Sequence, residues 1–210
     1  MLNTLITSAL SVSLLLTPVN GFVSPVAGQT AQIAERKVVL ASELMDLGNR
    51  YPVVSVSEGF KNNILISLNY LTFQDDVLEL KPGEIFAFHK KGILPEFKES
   101  KIVSQESDFT TNDGYKVVAG LGGNGVCHLA SLIYKTAVKA GLEAIAPTNH
   151  NFASISGIEK EFGVSISTRN SPERQNLYIK NNFDFPVEMK FGLNGEILKI
   201  EILKASQFIY

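Results

Sequence analysis

At 210 residues, 45% hydrophobic and 19% charged, the chain has the length and composition of a globular domain with short extras, not of a disordered protein. A net charge of −2, with no block of like charges, gives no electrostatic footprint for nucleic acid, and no nucleic-acid partner is expected. The single cysteine excludes an intrachain disulfide framework and a cysteine-based zinc cluster.

No charged side chain precedes Glu35. Within that stretch Leu5 to Leu16 is an apolar run of signal-peptide length, short of the roughly 20 residues a membrane span needs, and Pro18 follows it. Small residues at Val26-Ala27-Gly28 offer a cleavage site. Residues 1–28 are therefore read as a signal peptide or N-terminal membrane anchor. The protein is then exported: periplasmic, extracellular or membrane-anchored. The run lacks a preceding Lys or Arg, which keeps open a hydrophobic N-terminal helix of the domain itself. No cysteine stands there to carry a lipid.

Residues 29–57 read as a spacer followed by a short helix. Gly21 to Ala34 is rich in Gly, Pro, Ser, Thr and Gln, and Lys37 to Asn49 places Val39, Leu40, Leu44 and Leu47 on one helical side. Tyr51-Pro52 ends it. Ser57 to Phe73 predicts a helix, with Phe60, Ile64, Leu68 and Leu71 on one face and Ser57 as N-cap. Val77 to Leu80 is a strand candidate, Lys81-Pro82-Gly83-Glu84 a turn, and Ile85 to His89 alternates as a strand. Lys90 to Asn112 is polar and expected to run over the surface.

Val126 to Ala140 carries a continuous apolar stripe through Leu129, Leu132, Ile133, Ala137 and Ala140, and Gly141 stands where a left-handed cap belongs. Leu142 to Ala146, Phe152 to Ile155 and Val164 to Ser167 are strand candidates. So are Asn176 to Lys180, Pro186 to Phe191 and Glu196 to Leu203, the last two joined by the turn residues Gly192 to Gly195. The expected fold is α+β: one compact domain over residues 58–204, with helices around a mostly antiparallel sheet, a glycine loop feeding a helix, and a C-terminal β-hairpin.

The glycine loop, Gly120-Leu-Gly122-Gly123-Asn124-Gly125-Val-Cys127-His128, is the candidate site. A helix N-terminus offers free amides and the positive end of the helix dipole, conditions that lower a thiol pKa. From Cys127 to Gly141 a helix climbs roughly 21 Å at about 1.5 Å per residue. An extended return over Leu142 to Asn149 covers roughly 26 Å at about 3.3 Å per residue, which brings His150 back level with Cys127. Asn149 and Asn151 flank His150 and could orient its ring. Cys127 as nucleophile, His150 as base and the loop amides as oxyanion donors would support acyl transfer or amide hydrolysis. The plain alternatives stand beside this: a small buried cysteine, and a histidine serving only as a structural hydrogen-bond partner. His128, about 100° around the helix from Cys127, and His89, in an alternating strand, fit packing roles better than that of base. Histidines separated by 39 and 22 residues match no ligand motif, and no metal or cofactor is expected. The loop fits neither a Walker loop nor a dinucleotide fingerprint.

A longer series of motifs resembles the VanW family, envelope-associated bacterial proteins named from glycopeptide-resistance gene clusters. The series is Asn63-Ile64; Lys81-Pro82-Gly83-Glu84-Ile-Phe86-Ala-Phe88-His89; Gly114-Tyr115; and Gly122-Gly-Asn-Gly-Val-Cys127-His128. It continues with Ile133-Tyr134-Lys-Thr-Ala137-Val-Lys-Ala140-Gly141-Leu142-Glu143, Asn149-His150-Asn151, and Asn176-Leu-Tyr-Ile-Lys-Asn181 through Pro186. The resemblance spans about Glu58 to Leu203. It implies an envelope location, with the bacterial membrane or envelope and a peptide or peptidoglycan-like ligand as partners, but no settled chemistry. This chain departs from the family pattern in carrying His128 for Gln, His89 for Asn and Asn151 for Ser. It also lacks the Asp of a Gly-x-Asp segment that falls on Glu161 to Ile166.

Two functions follow as expectations. One is a Cys–His enzyme using Cys127 and His150. The other is a non-catalytic envelope-binding module in which Gly122, Gly123, Asn124, Gly125, His128, Asn149 and Asn151 contribute to holding a carboxylate or peptide end.

Overall fold

The computed structural model describes residues 37–72, 77–118 and 120–205, so the expected export signal at residues 1–28 lies outside them. The described chain begins with β1 (Val39–Asp46), α1 (Val54–Leu71), β2 (Val77–Leu80), β3 (Ile85–Ala87) and β4 (Ile102–Ser104). The ribbon strands β5 (Val117–Val118) and β6 (Leu121–Gly122) lead into α2 (Val126–Ala140). Then come β7 (Glu143–Ile145), β8 (Tyr178–Lys180), β9 (Val187–Asn194) and β10 (Ile197–Lys204). The α+β expectation holds, with the strands divided between two main sheets instead of one. The first is antiparallel throughout, in the order β1-β10-β9-β2. The second runs β4-β3-β8-β7, with β3 and β4 parallel and the other pairs antiparallel.

The principal core lies between the first sheet and the two helices. Ile64, Leu68 and Leu71 of α1 meet Leu129, Leu132 and Ile133 of α2, with Met189, Leu198, Ile200 and Ile202 from the sheet. β3 serves two cores by strand alternation: Phe86 enters the principal one, while Ile85 and Ala87 face a smaller cluster with Leu94, Phe97 and Tyr178. β9 and β10 form the expected C-terminal hairpin, tighter than its glycine content suggests. Asn194 pairs with Ile197, leaving Gly195 (φ 59°) and Glu196 as the turn.

The short helix expected within residues 29–57 is instead β1, paired with β10 from Val39↔Leu203 to Asp46↔Ile197. The side-chain spacing there suits a helix turn, but β10 offers an open row of backbone groups, and pairing overrides the weaker local preference. α1 starts at Val54, ahead of Ser57. The Ser57 hydroxyl is no N-cap; it donates to Gly48 O at 3.0 Å and accepts from Arg50 N at 3.0 Å.

Two further strand candidates form no ladder. Residues 152–155 make a turn beside His150, and residues 164–167 are extended but pair irregularly, Ser165 N with Thr148 O and Ser167 N with Gln175 O. The stretch Lys90 to Asn112 is less superficial than expected. It contains β4, a 3-10 turn at Pro95–Phe97, and the buried side chains Leu94, Phe97 and Phe109.

Candidate functional site

α2 begins where the sequence places it, with Gly125 as N-cap at φ 102° and Gly141 as C-cap at φ 84°. Gly125 is required there twice over. Its φ is left-handed, and a Cβ would lie 2.5 Å from the carbonyl oxygen of Phe60 on α1. The loop ahead of it is clamped by Asn63 of α1. The Asn63 amide donates to Lys116 O at 3.1 Å and to Asn124 O at 2.9 Å, while its oxygen accepts from Lys116 N at 2.7 Å. The Asn124 side chain is likewise spent on structure, donating to Val118 O at 2.9 Å. Gly122 pairs with Val117 in the β5–β6 ribbon.

A cleft of about 390 Å³ opens at this end of α2, lined by Gly123, Asn124, Gly125, Cys127, His128 and His150 among the expected residues. The return of the chain to His150 is as the length argument requires. After β7, Thr148 O and the His150 amide pair with Ser165 N and Gly163 O, which fixes His150 beside the start of α2. A larger groove of about 550 Å³ between α1 and β5 holds neither cysteine nor histidine.

Within the cleft the groups do not form the expected dyad. The half-buried Cys127 Sγ accepts from Ile166 N at 3.4 Å and lies 3.9 Å from Ile166 O. Burial pushes the thiol up, outweighing the backbone hydrogen bonds that act the other way, so the lowered pKa expected of a helix N-terminus is not found. Ser131 explains the overlying segment: it donates to Cys127 O at 2.7 Å and accepts from Val164 N at 2.9 Å, laying residues 164–166 across the first turns of α2. The His150 Nδ1 pairs with Ala153 O at 3.0 Å. Neither flanking asparagine orients the ring: Asn149 donates to Lys160 O at 2.8 Å and Asn151 is exposed. Ser165, two residues after Gly163 where the family pattern carries Asp, donates to Gln175 instead.

His128 sits deeper than the sequence suggests, only 6% exposed, with its Nδ1 buried and unpaired. Burial, then the nearby Arg50 and His150, pulls its pKa down to about 3, so the ring is neutral at ordinary pH. It belongs to a chain of rings along the cleft. Tyr51 and Phe60 are 5.7 Å apart, Phe60 and His128 5.2 Å, His128 and His150 6.4 Å, and His150 and Phe152 3.9 Å.

Sequence reasoning missed Arg50, Tyr51, Phe60 and Phe152, all of which line the cleft. Arg50 follows β1 and reaches the site only because β1 joins the sheet; no local spacing announces it. His89, by contrast, is structural as expected, fully buried with Nε2 3.0 Å from Gln175 O. Among the described residues no three His, Cys, Asp or Glu side chains gather as a metal-binding group.

Residues 61–203 match the family model described as VanW like protein. The chain belongs to the VanW family. Comparison with curated proteins and with solved structures finds no match for either. Several motifs that carry the VanW resemblance are building elements in this chain. Asn181 donates to Leu80 O at 2.8 Å and Phe185 O at 2.9 Å, and accepts from Phe183 N at 3.0 Å. Asn176 binds both the amide and the carbonyl of His89. The buried Tyr115 hydroxyl meets Ser67 Oγ at 3.0 Å, and Glu84 accepts from Lys81 N at 3.0 Å within its turn.

Proposed function

We propose that this VanW protein is an exported cell-envelope protein that captures a peptide- or peptidoglycan-like ligand in the cleft at the N-terminus of α2, without breaking a bond in it. The observation that carries this reading is the state of Cys127: its sulfur is engaged by the Ile166 backbone, burial favours the thiol over the thiolate, and its hydrogen-bond partners include no histidine. A nucleophilic cysteine needs the opposite on each count. What remains is a binding surface, made of an N-terminal helix turn uncapped by any side chain, a clamped glycine loop and a row of aromatic rings. The apolar, uncharged run at Leu5 to Leu16 supports export.

One observation favours a Cys–His enzyme of the acyl-transfer or amide-hydrolysing kind. Cys127, His128 and His150 share one cleft, with His150 fixed beside the start of α2 by its backbone pairing. Retention of the protein on purified peptidoglycan separates the two. Binding by Cys127→Ala and Cys127→Ser within about twofold of the parent, with no released fragments, is the expected result. Release of soluble fragments by the parent and not by Cys127→Ala would establish the enzyme.

A further inference from the structure

We infer that Arg50 is the anchor for a carboxylate on the ligand that enters this cleft; the inference rests on the binding reading above and specifies its chemistry. Arg50 is 5% exposed, yet its Nε and Nη1 are buried without a hydrogen-bond partner. The one hydrogen bond of its guanidinium runs from Nη2 to Ser156 O at 3.1 Å. Among the described residues no carboxylate lies within ion-pair distance of it. Asp46, whose field does reach it, is occupied with Gly48 N and Asn49 Nδ2, each at 2.8 Å. A guanidinium buried without a counter-charge is costly to keep, and an anion arriving in the cleft relieves that cost.

The surroundings narrow the anion. The neighbouring His128 is neutral, Cys127 stays a thiol, and among the described residues Arg50 is the one arginine or lysine lining the cleft. One charge suits a monoanion better than a phosphate dianion. The uncapped first turn of α2 faces the same space and favours negative charge there. Beside these polar groups stand Tyr51, Phe60 and Phe152, the last 76% exposed at the mouth. A planar carboxylate attached to an apolar group therefore fits both halves of the cleft, as at the free C-terminal end of a peptide.

The probes for the test are acetyl-alanyl-phenylalanine, its C-terminal amide and inorganic phosphate, titrated separately into the isotope-labelled full chain. Binding is read from the backbone amides of Cys127, His128 and Phe152. The free acid is expected to shift these signals and the amide to bind at least tenfold more weakly, with phosphate no tighter than the acid. Arg50→Gln is expected to bring the acid down to the level of the amide, while Arg50→Lys keeps part of the preference. Without ligand, Arg50→Gln should melt no lower than the parent, because it removes an uncompensated buried charge. A lower melting temperature, or an unchanged preference for the acid, would make Arg50 a structural residue and overturn the inference. Equal shifts from acid and amide overturn the carboxylate anchor and leave the cleft as a ligand site. Tighter binding of phosphate overturns the choice of carboxylate. No shift from any probe overturns the anchor and counts against the cleft as well.

Discussion

His128 and Arg50 are two buried polar residues that the fold holds in unfavourable states, and each has a measurable consequence. For His128 the folded pKa of about 3 lies below the usual value near 6.5. Between these limits the unfolded chain binds the proton and the folded chain does not. Its contribution to stability is therefore present above pH 6.5 and is lost as pH falls toward 3. At about 1.4 kcal/mol per pKa unit the full effect is of the order of several kcal/mol. Glu43, Glu84 and Asp113, whose pKa values are lowered, lose their contributions only at more acidic pH, which leaves the upper part of the window to His128 and the similarly buried His89. Urea unfolding between pH 7 and 5 should show stability falling with acidity, and His128→Gln should flatten that slope. An unchanged slope in the variant would mean that His128 is solvated or paired in solution. Cys127 and His150 were legible as site residues because their chemistry shows in their identity and because helix and return lengths match. Arg50 was not, since an isolated arginine after a tyrosine-proline break carries no periodicity.

At the scale of elements, α2 is the part most fully read from sequence: its apolar stripe, its glycine cap and its start all stand where the pattern puts them. β1 differs from the sequence expectation because Val39, Leu40, Leu44 and Leu47 satisfy a helix turn as well as a strand, and only the partner β10 decides between them. The asparagines of the family motifs were legible as a signature and not as a mechanism. Their hydrogen bonds show that they hold loops to strands. Asn63 illustrates the physics. Replacing it with leucine keeps the size but leaves Lys116 N, Lys116 O and Asn124 O without their partner. Loss of this clamp should cost roughly 2–4 kcal/mol, since buried backbone groups stripped of a partner cost about 1–3 kcal/mol each and water recovers part. The urea midpoint of Asn63→Leu checks this, and a change under about 0.5 kcal/mol would show that the loop is held by other contacts.

On the scale of the whole molecule, the cleft is assembled from segments distant in sequence. The segment between β1 and α1 supplies Arg50, α1 supplies Phe60, the start of α2 supplies Cys127 and His128, and the loop after β7 supplies His150 and Phe152. These elements thus converge on a cleft that brings together the Arg50 guanidinium, the neutral His128 ring and the Cys127 thiol, the groups on which the proposed capture of an anion rests. The most direct test is the rate of Cys127 alkylation as a function of pH in the folded protein, with and without His150→Ala. The rate should rise only at pH values above those of a free cysteine and should be unaffected by loss of His150. Fast alkylation below pH 7 that disappears in His150→Ala would contradict this account and establish an activated Cys–His pair.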